Sequence, residues 1–182
     1  MPDLWLPTLS KVLLPGAAII AMLIAAKRRK LSFADELGLR APTMWVAALC
    51  LAAWICLIAL EEHLTGSIED LQPKHWPDYP AAIIALRVLA IGFLGPVAEE
   101  LAFRGLLMAA LRRMRVAIPW AIAFTAAVWA IIHLQYSPLL LALIFVDGIA
   151  LGLARYYSKS LYVPIAMHII GNCFSIYQSL TP

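Results

Sequence analysis

The sequence predicts an all-α protein, a polytopic helical bundle of about six membrane-spanning helices forming a single integral domain over residues 1–182. Three observations predict it. Of the 182 residues, 63% are hydrophobic and only 14% charged, and the mean hydropathy of +0.85 lies outside the range of water-soluble domains. Hydrophobic segments of near 20 residues recur along the chain, the length needed to cross about 30 Å of hydrocarbon. They are too long and continuous for barrel strands, and a spanning backbone must satisfy its own hydrogen bonds, so helices are the remaining solution. Finally, the basic residues fall in alternate loops, as the positive-inside rule requires of a multi-pass chain.

The first segment, residues 4–26, resembles a signal peptide in its apolar run. It carries Asp3 in front and "KRRK" behind, the reverse of the secretory arrangement, and is read as a membrane helix. Residues 43–60 form a shorter second helix. The loop after it, 61–80, is acidic, with Glu61, Glu62, Glu69, Asp70 and Asp78 against the single Lys74. Residues 1–80 are thus expected to supply peripheral helices and an acidic outer loop, and residues 81–180 the core helices. The third segment, 81–110, is long and contains Gly92, Gly95 and Pro96. Proline removes a helical hydrogen bond and crowds the preceding turn, so a kink or break is expected at Pro96. Segments 116–134, 139–157 and 161–180 complete the set; the fifth carries Gly148 and Gly152, a small-xxx-small pattern that favours close helix packing.

Lys27, Arg28, Arg29, Lys30 and Arg40 follow the first segment, Arg112, Arg113 and Arg115 the third, and Arg155 and Lys159 the fifth. Six alternating helices put all three groups on one side, which the charge rule makes cytoplasmic, with both termini and the acidic loop outside. The net charge of +3 is therefore read as a topology signal. No basic stripe with interleaved aromatics suggests a nucleic-acid partner. Cys50, Cys56 and Cys173 lie in apolar runs without zinc-type or CxxC spacing and leave the redox compartment undetermined.

Ionisable groups inside the bilayer cost about 2.5–3.5 kcal/mol each on insertion scales, so those present call for a partner or a task. They are Glu99, Glu100, Arg104, His133, Asp147 and His168, with Asn172 as a neutral companion. Counting about 1.5 Å per residue from the basic loops brings Glu99, His133, His168 and Asn172 to overlapping depths on three helices. Glu100 and Arg104 are i, i+4 and share a face, so they can offset one another, while Glu99 points about 100° away and is left for chemistry. His168 and Asn172 also share a face. A desolvated carboxylate near a histidine can activate water, and a second histidine with an amide can donate to an oxyanion. This is a peptidase inventory without an activated serine or cysteine, and neither HExxH nor GxSxG occurs. Asp147, Trp129 and Phe103 are candidate cavity residues.

These motifs, "EELAFRG" (Glu99, Glu100, Arg104), "WAIIH" (Trp129, His133) and "HIIGN" (His168, Asn172), in this order, resemble the CPBP (Abi) family of intramembrane CAAX-prenyl and bacteriocin-processing proteases; "DELGLR", Asp35–Arg40, resembles a loop of the same family. The resemblance implies that Glu99 and His133 activate water, that Glu100 and Arg104 support the site, and that His168 and Asn172 bind the oxyanion, with no cofactor. The substrate would be a membrane-associated protein or peptide, such as a prenylated tail, a leader peptide, a bacteriocin or a C-terminal sorting signal. The compact chain and tight loops suggest a bacterial cytoplasmic membrane. Two other readings use the same residues: a zinc protease with Glu99, His133 and His168 as ligands, and a non-catalytic peptide-binding, immunity or proton-coupled membrane protein.

Overall fold

The structure, a computed structural model, describes residues 4–68, 71, 73, 75, 76 and 78–181. Glu69, Asp70 and Lys74 of the acidic loop lie outside the described residues. Among those described, helices are the sole regular element: α1 (Trp5–Arg28), α2 (Met44–Thr65), α3 (Ala81–Arg113), α4 (Ile118–Ile131), α5 (Pro138–Ser158) and α6 (Tyr162–Leu180). Four of them, α1, α2, α3 and α5, are long and apolar enough to cross a membrane. The other two differ from the expected spans for separate reasons. At 14 residues α4 reaches only about 21 Å, and α6 carries His168, Asn172, Ser175, Gln178 and Ser179, which lower its hydropathy.

The surface is inverted relative to a soluble protein. Trp45 is 80% exposed, Trp120 73% and Leu6 70%, while Glu100 and Arg104 are wholly buried. Lipid gives no hydrophobic drive for helices to associate, so van der Waals fit and internal polar contacts hold the bundle together. The fit is closest between α4 and α5. A Cβ at Gly148 would come within 2.8 Å of the Ala126 Cβ, and one at Gly152 within 2.8 Å of the Ile122 Cγ2. The small-xxx-small pattern is thus a packing device. Around it, Trp54, Trp129, Leu151, Ala154, Val163 and Met167 form one buried apolar cluster, while Ala26, Leu37, Leu101 and Leu161 form a second.

The basic loops gather at one end of the bundle. Leu161 donates its N–H to the Gly38 carbonyl at 2.7 Å, Ser160 donates to the Arg40 carbonyl at 2.6 Å, and Arg155 to the Glu36 carbonyl at 3.1 Å. Arg113 Nη2 donates to Glu36 Oε2 at 2.9 Å. Gly38 has φ of +75°, and a side chain there would collide with the Arg155 guanidinium. The segment "DELGLR" therefore ties α1, α3, α5 and α6 together as a floor. Lys30, Arg115 and Lys159, which follow α1, α3 and α5, all adopt left-handed backbone with φ of 52°, 62° and 55°. At the opposite end Trp76 of the acidic loop donates to the Ser179 carbonyl at 2.9 Å and Gln178 donates to Glu62 at 2.8 Å; the second helix runs on to Thr65, so Glu61 and Glu62 lie on α2 and not in the loop.

The irregularity expected at Pro96 is present, and it takes the form of widened turns with the backbone remaining helical. Within α3, Val88–Leu94 and Leu101–Leu107 are π-helical, and Gly95–Glu100 between them is α-helical. The Gly95 N–H reaches back five residues to the Ala90 carbonyl. In that register the donor facing the Ile91 carbonyl would be Pro96, which has none. The Asn172 Nδ2 supplies it from α6, at 2.8 Å. A defect in one helix is thereby satisfied by a side chain of another, as a buried backbone carbonyl requires.

Candidate active site

The two carboxylates of α3 face different surroundings. Glu100 and Arg104, one turn apart and both fully buried, are joined at 2.8 Å. Arg104 also donates from Nη2 to the Gly148 carbonyl at 3.1 Å, and its guanidinium carbon lies 4.7 Å from the centre of the Trp129 ring. Glu100 Oε1 takes a second partner, His168 Nδ1, at 3.0 Å. Removing either member of such a buried pair leaves an uncompensated charge and typically costs about 3–5 kcal/mol. This pair therefore fixes the bases on which the remaining groups stand.

Glu99 is 30% exposed and receives the Trp129 indole N–H at 2.6 Å. His168 Nε2 lies 4.0 Å from the same carboxylate oxygen, Oε2. Because a carboxylate only accepts, the bond to Glu100 keeps the proton of His168 on Nδ1 and turns Nε2 toward Glu99. His133 lies beyond the fourth helix, in the turn after Ile131, rather than within it. Its own ring replaces a helical hydrogen bond there: Nδ1 meets the Trp129 carbonyl at 2.8 Å, while its backbone N–H goes to Ala130. A carbonyl also only accepts, so His133 presents Nε2 as its free nitrogen. Trp129 stands edge-on to both imidazoles, with ring centres 5.4 Å from His133 and 5.2 Å from His168.

Glu99, Trp129, His133, Asp147, His168 and Asn172 line one cavity of about 1220 Å³ that reaches His75, Trp76 and Tyr79 at the acidic-loop end. A space of this size admits an extended peptide segment. Not every candidate joins it in the expected way. Among the described residues no hydrogen bond or ion pair links His133 directly to Glu99; the connection runs through Trp129, and His168 is the imidazole nearer the carboxylate. Phe103 does not line the cavity; it packs against the cluster of Trp54, Trp129 and Leu151. It follows Glu99 by four residues, and the wide turns of Leu101–Leu107 rotate it off the face an α-helix would give it. Asn172 spends one amide hydrogen on Ile91 and retains the other. Among the described residues no group of three or more His, Cys, Asp or Glu side chains is arranged so as to hold a metal ion.

The part of the site least visible beforehand is the Trp129 N–H. The aromatic position four residues before His133 was evident, but only the crossing of α4 against α3 makes it the orienting donor for Glu99.

Residues 81–174, just over half of the chain, match the family model described as type II CAAX prenyl endopeptidase Rce1-like. An uncharacterized 24.3 kDa protein of Escherichia coli is 28% identical over 127 residues, covering 69% of this chain and 58% of the relative. The chain thus spans less than two thirds of the length of that curated relative. No solved structure matches. With the matched region carrying Glu99, Glu100, Arg104, Trp129, His133, His168 and Asn172, the chain belongs to the type II CAAX prenyl endopeptidase Rce1-like family.

Proposed function

We propose that this chain is an intramembrane endopeptidase that hydrolyses a peptide bond of a membrane-associated protein or peptide with a glutamate-activated water and no metal. The observation that carries this reading is Glu99: a partly exposed carboxylate on the wall of a peptide-sized cavity, oriented by the Trp129 N–H at 2.6 Å and set 4.0 Å from His168. Glu99 takes a proton from water as the oxygen attacks the scissile carbonyl, and returns it to the departing amine as the C–N bond breaks. His133, facing the cavity with Nε2, assists in positioning the water. The remaining amide N–H of Asn172 and, when protonated on Nε2, His168 donate to the oxyanion. Glu100 and Arg104 hold His168 and Trp129 in place. A bacterial cytoplasmic membrane is the location that goes with this reading, and the relative in Escherichia coli supports its bacterial part.

The test uses purified protein in lipid nanodiscs with a set of membrane-tethered peptides, read by mass spectrometry. Wild type cleaves, and Glu99→Gln is slower by about 10²–10⁴-fold with an unchanged thermal midpoint. Cleavage by the wild type persists in a strong zinc chelator. Equal cleavage by Glu99→Gln removes Glu99 as the base, and loss in chelator with recovery on added zinc overturns the metal-free reading.

A further inference from the structure

The cavity carries polar groups for which the hydrolytic roles above have no use, two of them, Asp147 and Glu61, close enough to interact electrostatically. Asp147, mid-way along α5, and Glu61, one turn before the end of α2, both line it. Each has a carboxylate oxygen, Asp147 Oδ1 and Glu61 Oε1, that is buried and has no hydrogen-bond partner among the described residues. Trp54, only 4% exposed, lines the same cavity, and its indole N–H likewise has no acceptor. It lies at the cavity wall beside Gly171, where a Cβ would come within 3.2 Å of its ring. Three buried polar groups without partners are expensive to keep unless something fills the space between them.

The charge of the cavity says what would fill it. Its described lining includes Glu61, Glu62, Glu99 and Asp147 against a single Lys or Arg, the exposed Lys11. No ion pair among the described residues joins Lys11 to either acid. Arg104 is close enough to Asp147 to interact electrostatically, yet its hydrogen bonds go to Glu100 and Gly148. A low-dielectric cleft whose carboxyl groups outnumber its Lys and Arg groups favours a cationic group that can pair with them.

We propose that Asp147 and Glu61, together with the Trp54 N–H, form a subsite for a basic side chain, Lys or Arg, of the peptide substrate. The carboxylates take the cation and the indole N–H takes a neighbouring carbonyl of the peptide. The subsite rests on the peptidase reading, to which it adds a substrate class: a membrane-associated peptide with a basic residue near the scissile bond.

Binding is measured apart from turnover, on full-length Glu99→Gln in nanodiscs. The probes are end-capped, fluorescently labelled apolar twelve-residue peptides bearing one Arg at successive positions, each with a citrulline twin that keeps the shape and lacks the charge. For at least one register the Arg peptide binds at least tenfold tighter than its twin. Adding Asp147→Asn or Glu61→Gln reduces that preference to less than threefold, while citrulline-peptide affinity stays within twofold, which certifies the fold; if the Asn variant fails that control, Glu61→Gln decides. The proposal is overturned by equal binding of the twins in every register, by a preference that survives the substitutions, or by no binding of any probe. Wild-type cleavage of the same peptides separates the two readings. Cleavage without Arg preference keeps the peptidase and rejects the subsite, and Arg preference without cleavage does the opposite.

Discussion

At the scale of single residues, the site depends on which atom each ring presents. Trp129 donates to Glu99 through Nε1 and accepts from His133 through its carbonyl, so one residue orients both of its neighbours. Trp129→Phe keeps an aromatic ring beside Arg104 and removes the indole N–H together with the second ring. A hydrogen bond to a charged group is worth about 1.5–3 kcal/mol, so kcat is expected to fall by roughly 10–100-fold with a thermal midpoint near that of the wild type; an unchanged kcat would show the indole N–H to be idle. Much of this was legible in the sequence. Ionisable residues are so costly in lipid that Glu99, Glu100, Arg104, His133 and His168 stood out without any structure, and i, i+4 spacing was enough to pair Glu100 with Arg104. What could not be read were contacts between helices: the Trp129–Glu99 bond, the choice of His168 over His133 as the nearer imidazole, and the destination of Asn172. Spacing along one helix gives faces, whereas these depend on how three helices cross.

At the scale of elements, α3 is the unusual one. Proline at position 96 and glycines at 92 and 95 foretold an irregularity, but not that it would be absorbed by π-turns on both sides of the acidic pair. Such turns shift the faces that residues present, which is why Phe103 could not be placed from its spacing. Pro96→Ala restores a backbone N–H able to compete with Asn172 for the Ile91 carbonyl. The expected outcome is a bundle at least as stable as the wild type in detergent unfolding, with peptidase activity lowered because Asn172 is no longer held. Full activity in a stable Pro96→Ala protein would mean that the Asn172–Ile91 bond does not organise the site.

For the whole molecule, the two ends do different work. The acidic-loop end opens into the cavity, while the basic end is closed by the segment from Asp35 to Arg40. The bond from Arg113 and the N–H of Ser32 hold the Glu36 carboxyl below its usual value of 4.5. A carboxyl whose folded value is depressed stabilises the fold fully above that usual value, and the contribution is lost as pH falls through the folded one. Thermal midpoints measured from pH 6 down to pH 3 are therefore expected to decline less steeply for Glu36→Gln than for wild type below about pH 4.5; parallel curves would remove this contact from the acid response. The left-handed turns at Lys30, Arg115 and Lys159 carry a different implication, for how the nascent chain is threaded into the bilayer. Glycine suits such a backbone better, by about 1–2 kcal/mol, and here each turn bears a cation instead. These cations add to the charge bias from which the sequence predicts which way the chain faces. Replacing all three by glycine should give a bundle that withstands heat better once assembled, yet enters the membrane in both directions, a mixture that protease accessibility of a terminal tag in sealed vesicles would reveal.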